Sequence, residues 1–281
     1  FCLLMGAAGM FALALLKSRQ RSGRIGKTRE KKEMWKEERK GKKGKGKKKG
    51  KEGGERRLGK QRTEKRKVER ETSETRTSIY TQAIGEATSV LLHGDADVML
   101  TGGTHTMLHA LGITGFNRLA ALSTFEGDPR KASKPFSKDR GGFVMGEGAG
   151  VMVLEEWDMA LERGATILAE ILGGASTADA HHITAPSPGG IGAITCMRLA
   201  LEEAGVEPDQ VRHINAHGTS TPLNDMAEAF AMAEVFGPDG PLVTSTKGIT
   251  GYALGSAGAI EAVAVVLAMG SKLITPTSGY S

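Results

Sequence analysis

Two stretches carry side chains that could act on a polarised carbonyl. HINAHGTSTPLND (residues 213–225) sets His217 after a strand-like apolar run and before a block of hydroxyls. STKGITGYALGSAGAIEA (residues 245–262) sets Lys247 at what reads as another strand end, ahead of a glycine-punctuated turn. An imidazole can donate a hydrogen bond to a reacting oxygen, and an ammonium can hold a charge that builds there. Taken alone, His217 reads first as a structural hydrogen-bonder; the second stretch shifts the balance, because two strand-end loops converge on a pocket only if they are built to do so. Around them, Gly218 permits close backbone approach, and Thr219, Ser220 and Thr221 offer hydroxyls. Pro222 suits the first turn of a helix capped by Thr221. Asp225 and Glu228 fall one turn apart on that helix.

The elements that must position these groups follow from pattern. IGEATSVLLHGD places Ile84, Ala87, Leu91 and Leu92 on one helical face and stops at Gly94. DVMLTGG reads as a buried strand, and GFVMGEGAGVMVLEE as two strand-like runs around a glycine-rich turn. ATILAEILGGAST, RHINAHGTS and PLVTSTKG read as further strands, with helices at about 189–204, 222–236 and 253–269. Alternating strands and helices imply an α/β layered fold with a largely parallel sheet. In such a sheet, ligands lie beyond the carboxyl ends of the strands, which is where His217 falls.

Charge divides the 281 residues sharply. Residues 17–76 hold 27 Lys+Arg against 10 Asp+Glu, a net of +17. Of the chain totals of 38 and 32, that leaves 11 basic and 22 acidic residues elsewhere, a net of −11. The region 17–76, with KGKKGKGKKKGKEGG, has no apolar period and is expected to be disordered. It could tether nucleic acid or an anionic membrane by counterion release, be a solvated arm, or be foreign to the fold. Residues 1–16, FCLLMGAAGMFALALL, are apolar or glycine throughout. They are short for a membrane span and lack a basic segment before them, so a truncated leader or a buried core segment competes with insertion. Two cysteines make no disulfide framework and point to a reducing compartment. Cys196, in the apolar helical pattern ITCMRLALEEAG, reads as a packed core thiol.

GFVMGEGAG, HGTSTPLND and STKxxTGxxLGSAGAIEA, in this order, resemble the β-ketoacyl-[acyl-carrier-protein] synthases of the condensing-enzyme family. IGEA, HGDADVML, ALST, PFSKDRGGF and DAHHITAP add to the likeness, which covers about residues 78–279. The resemblance implies a thiolase-like layered αβαβα fold, incomplete here: residues 78–281 would hold the end of the N-terminal half and most of the C-terminal half. It implies decarboxylative Claisen condensation in fatty-acid biosynthesis, with no bound cofactor and with substrates carried on the phosphopantetheine of acyl carrier protein. A homodimer in the cytoplasm, or in a plastid or mitochondrial matrix, would follow; nucleic acid and membrane are not expected partners. By position, His217 resembles a histidine that donates to the thioester oxygen, and Lys247 the lysine of the polar network, with Asp225 and Glu228 as its partners. Thr219 and Thr221 match residues that bond the pantetheine arm.

The likeness has departures. Tyr252 stands where the family has a second histidine, and a phenol oxygen reaches further from the backbone than an imidazole nitrogen. The nucleophilic cysteine of the family falls seven residues before Ile84, at Thr77, whose hydroxyl ionises too weakly to replace a thiolate without a base. The chain is therefore expected to be inactive in condensation. An inactive synthase-like partner subunit, or an anionic-polymer binder acting through the basic arm, is the competing reading. The family also continues past LITPTSGYS through more strands and a glycine-phenylalanine loop, and Gly141 replaces an aspartate. His181 and His182 beside Asp179 lack further ligands at metal-binding spacing. The glycines of GFVMGEGAG mark a tight turn at the pocket wall rather than a phosphate loop.

Overall fold

Short apolar runs bounded by glycine must pair, because an unpaired backbone amide is costly once buried. In the computed structural model of the chain, which describes residues 2–5, 11–17, 80–182 and 184–280, they pair into two sheets. The larger takes β1 (Cys2–Met5), β2 (Phe11–Lys17), β5 (Ala169–Ser176), β6 (His213–Asn215) and β7 (Leu242–Thr244). Its order is β5-β2-β1-β6-β7. β1, β6 and β7 run parallel, while β2 is antiparallel to both its neighbours. The sheet is thus mixed rather than largely parallel, because two of its strands come from one hairpin at the start of the chain. The smaller sheet pairs β3 (Val98–His105) with β4 (Gly148–Glu155), antiparallel from Val98 opposite Glu155 to His105 opposite Gly148. GFVMGEGAG yields only the start of β4; the first of its two expected strand runs makes isolated bridges at Phe143 and Met145 instead.

Helices separate and cover the sheets. α1 (Tyr80–Leu92) and α7 (Ala257–Ser271) lie between them, and α4 (Ile191–Ala204), with α5 (Pro222–Phe236) against it, covers the other face of the larger sheet. α2 (Ala110–Arg118), α3 (Trp157–Glu162) and the single turn α6 (Lys247–Thr250) are shorter. The described residues therefore form four layers, α-β-α-β. On α1, Ile84 and Ala87 are buried but Leu92 is 63% exposed. Eight residues along a 3.6-residue helix leave Leu92 well off the Ile84 face, which corrects the expected stripe.

Alternation along a strand lets β1 and β6 serve two layers. Leu3, Met5 and Ile214 pack under α4 and α5 with Cys196, Met197, Ala200 and Met232. Cys2 faces the other way, joining Ile84, Ala262 and Val265 between the sheets. Cys2, Leu3 and Met5 are therefore core, and Cys196 is a buried thiol. The inner layer is tight: a Cβ on Gly150 would lie 2.8 Å from the Ala259 carbonyl carbon, so β4 and α7 touch backbone to backbone. Residues 254–271 are long and apolar enough to cross a membrane by length and composition; here they lie between the two sheets. Of the basic region 17–76, Lys17 ends β2 rather than being disordered; residues 18–79, and with them the rest of that expectation and the position of Thr77, fall outside the described residues.

Candidate active site

Parallel strands β6 and β7 release the chain at one edge, and His217 and Lys247 follow there. Gly218 (φ +41) is what lets the two loops meet, since a Cβ on it would fall 2.6 Å from the Cβ of Ser245. Ser245 Oγ donates to the Gly218 carbonyl at 2.9 Å, fastening one loop to the other. His217 and Lys247 are both buried, at 5% and 1% exposure.

Three buried side chains and the half-buried Tyr252 make one centre. Lys247 Nζ donates to Glu261 Oε1 in a short ion pair, and Nζ lies 5.4 Å from the centroid of the Tyr252 ring. Tyr252 meets His217 edge to face, with centroids 5.2 Å apart and planes at 86°. Phe143 packs on the same phenol at 5.2 Å, and Phe116 on Phe143 at 5.5 Å. Burial, reinforced by the charge of Lys247, holds the His217 imidazole well below its ordinary range. The ring is therefore neutral at neutral pH, with one N–H to donate. Burial, with the Glu261 charge added, raises the Tyr252 phenol, so it stays protonated. Burial also raises the Glu261 carboxyl, against the pull of Lys247.

Asp225 and Glu228 do not bond the lysine, contrary to the expected network. Glu228 instead accepts from the backbone amides of His217 (2.6 Å) and Gly218 (2.8 Å). Asp225 Oδ2 accepts from the amides of Phe136 (2.8 Å) and Ser220 (3.1 Å), with Arg140 Nε at 3.6 Å. The reason is geometric: both carboxylates sit in the first two turns of α5 and reach back to the loop that enters it. They fasten the His217 loop. Burial pushes the Glu228 carboxyl up to about 7, opposed by its two backbone hydrogen bonds, and raises Asp225 as well. The hydroxyls of Thr219 and Thr221 are 2.9 Å from each other. Thr221 makes no side-chain cap on α5, so its expected capping bond is replaced by this one.

Glu261 was not singled out from the sequence. Its signal was available: it is the only charged residue in AGAIEAVAVVLAMG, and a lone carboxylate on an apolar helix needs a buried partner. The loop before Gly141 was also missed. Ser133 Oγ donates to the Lys247 carbonyl at 2.6 Å, and the Lys134 amide donates to Ser220 Oγ at 2.9 Å. Ser220, at φ 69 and fully buried, is the junction that the Lys134 and Gly142 amides grip. At Gly141 an added Cβ would meet nothing within 4 Å. His182 Nδ1 accepts from the amides of Thr184 and Ala185, and Asp179 from that of Ser187, which accounts for DAHHITAP as a turn. Among the described residues, no group of three His, Cys, Asp or Glu side chains is placed to hold a metal ion.

Comparison with known proteins fits this geometry. Residues 71–160 match the profile of the beta-ketoacyl synthase N-terminal domain, and residues 168–281 that of the C-terminal domain. The chain is 45% identical over 197 residues to 3-oxoacyl-[acyl-carrier-protein] synthase 2 of Vibrio cholerae, covering 69% of this chain and 48% of that protein. It is 50% identical over 192 residues to the mitochondrial 3-oxoacyl-[acyl-carrier-protein] synthase of Arabidopsis thaliana, covering 66% and 42%. The chain thus spans about half the length of the curated relatives it matches. Among solved structures, a beta-ketoacyl synthase from Burkholderia phymatum superposes with a TM-score of 0.69 at 38% identity, over 73% of this chain and 49% of that one. A ketosynthase in complex with its type II PKS acyl-carrier protein, bound to the hexaketide, superposes with a TM-score of 0.70 at 39% identity, over 72% and 50%.

Proposed function

The chain belongs to the beta-ketoacyl synthase family, and from that premise we propose that His217 and Lys247 form the decarboxylating half of a 3-oxoacyl-[acyl-carrier-protein] synthase site. The observation that carries this reading is the neutral, buried imidazole of His217 beside the Lys247–Glu261 pair. When the carbon–carbon bond to the malonyl carboxylate breaks, carbon dioxide leaves and the electron pair moves into the thioester as an enolate. The N–H of His217 donates to the enolate oxygen, and the ammonium of Lys247 lowers the energy of the charge there. Thr219 and Thr221 line the approach of the phosphopantetheine arm, and acyl carrier protein is the partner that brings it. Asp225 and Glu228 hold the His217 loop rather than touch substrate.

Condensation needs an acyl-enzyme, and the position of the family's cysteine is Thr77. The enolate therefore has no acyl group to attack in this chain, and protonation by water completes an acetyl thioester. Tyr252, in place of the second histidine, further lowers the rate; losing one such donor costs about 10² to 10³. The same two replacements favour the second reading, an inactive synthase-like subunit beside a competent one. The intact protein would act as a homodimer in the cytoplasm or an organelle matrix, its substrates arriving on the carrier and no cofactor bound.

The test is malonyl-acyl carrier protein incubated with the full chain, with the acetyl carrier read by mass. Slow decarboxylation is expected, and His217→Ala should lower it about 10²-fold or more. An unchanged rate in that variant would remove His217 from the reaction. A radiolabelled acyl carrier should leave the chain unlabelled; robust acyl transfer to it would overturn the assignment of Thr77.

A further inference from the structure

Residues 2–5 and 11–17 lie outside both family matches, which begin at residue 71, yet they supply two of the five strands of the sheet that carries His217. β5 and β6 are not neighbours. β2 and β1 stand between them, so the two family strands lie three strand spacings apart, about 14 Å. β2 meets β5 along its whole length, from Phe11 opposite Ser176 to Lys17 opposite Ala169. β1 meets β6 in parallel, with Leu4 opposite Asn215, two residues before His217.

The same strand reaches both sides of the buried centre. On one face, Leu3 and Met5 fill the core under α4 and α5 with Ile214, at 1% and 0% exposure. On the other, Cys2 packs with Ala262, the neighbour of Glu261 on α7. Cys2 Sγ lies 3.1 Å from His213 Nδ1, and His213 Nε2 lies 2.8 Å from Thr244 Oγ1, a side-chain chain across β1, β6 and β7. Those three strands therefore share one register, and the helix that bears the lysine's counter-ion rests on the first of them.

We infer that the β1–β2 hairpin is the positioning element of the active centre: it fills the place between β5 and β6 and sets His217 and Glu261 at their working separation. The kinetic arm of the test rests on the reading of His217 given above; the covalent arm does not. The full chain carries Cys196→Ser, leaving Cys2 as its thiol, and His213→Cys places a second thiol directly opposite. In a glutathione redox buffer, the two thiols lose their hydrogens as glutathione disulfide is reduced to two glutathiones. An intramolecular 2–213 bridge is expected, seen as joined tryptic peptides in a monomer. Arg212→Cys, at an exposed position just before β6 and out of register with Cys2, should need a buffer at least tenfold more oxidising. Equal bridging in both variants, bridges between chains, or no bridge would each overturn the inference.

For the kinetic arm, Leu3→Ala is expected to lower the kcat of malonyl decarboxylation roughly tenfold to a hundredfold with KM unchanged, as for a small displacement of a reacting group. In the Leu3→Ala, His213→Cys chain, forming the bridge should restore the rate, which general loss of core packing would not predict at a temperature where both forms are folded. A full rate in Leu3→Ala, or a bridge without rescue, would refute the positioning role. If the parent chain shows no decarboxylation, that counts against the site reading, and the bridge pattern alone decides the hairpin.

Discussion

The two sheets treat their second faces in opposite ways. The larger is covered on both: Leu3, Met5 and Ile214 on one side, Cys2 and His213 on the other. Among the described residues, the β3–β4 pair is covered on one face, by α1, α7 and the turn that leads into α7, and its outer face shows Val98, Leu100, Val151 and Val153 at 48, 73, 67 and 62% exposure. The ionisable centre belongs to the doubly covered sheet. A buried ammonium and carboxylate keep a fixed separation only where packing on every side removes water and slack. DVMLTGG was expected to be buried; of its inward residues Thr101 is buried and Met99 half-buried, and its outward Val98 and Leu100 form an apolar surface instead.

Four tests sharpen or break this contrast. The largest effect is expected at Glu261, where Glu261→Ala strands Lys247 as an unpaired buried charge and costs about 3–5 kcal/mol in urea unfolding. Replacing both, as Lys247→Met with Glu261→Leu, should recover most of that loss. If the double variant is no more stable than the single one, the pair is not what packing there supports. Next comes Ile214→Ala, expected to cost about 2–5 kcal/mol because both faces around β6 are closed and a cavity cannot collapse freely.

The third concerns pH. Glu228 keeps its proton in the folded chain to about pH 7, against an ordinary value of 4.5. Between those values the folded chain binds more protons than the unfolded one, so this group's contribution falls as pH rises through the window. Glu228→Gln should flatten that fall. His217, depressed, acts oppositely, costing stability as pH drops below its ordinary 6.5, and it persists in the variant. An identical pH slope for parent and Glu228→Gln would contradict the burial of that carboxyl. The smallest effect is expected on the open face: Val153→Thr should stay within about 0.5 kcal/mol. A loss there equal to that of Ile214→Ala would erase the difference between the sheets.

Much of the scaffold was legible because its signals are local. Pro222 at the first turn and Gly237 after the last bound α5 at Pro222–Phe236, as expected from the sequence. The ends of β6 and β7 were harder, because HGTS and STKG keep an extended look after leaving the sheet. His217, Tyr252 and Lys247 were found and do converge. The partner of the lysine was not, since Glu261 lies fourteen residues on and its link to Lys247 exists only after α7 packs. Strands β1 and β2 were hidden for a related reason: up to the closing Lys17 they are apolar, so they lack the alternation by which a half-exposed strand is recognised.

The bare backbone of Gly150 has a reach beyond its own strand. Ala259 and Ile260, the residues its surface touches, stand just before the carboxylate that answers Lys247. One methyl group at position 150 would act as a wedge, levering the helix outward and lifting the anion off its cation without altering any ionisable residue. The gap between two opposite charges is thus gauged by an atom that is missing, on the far side of the helix.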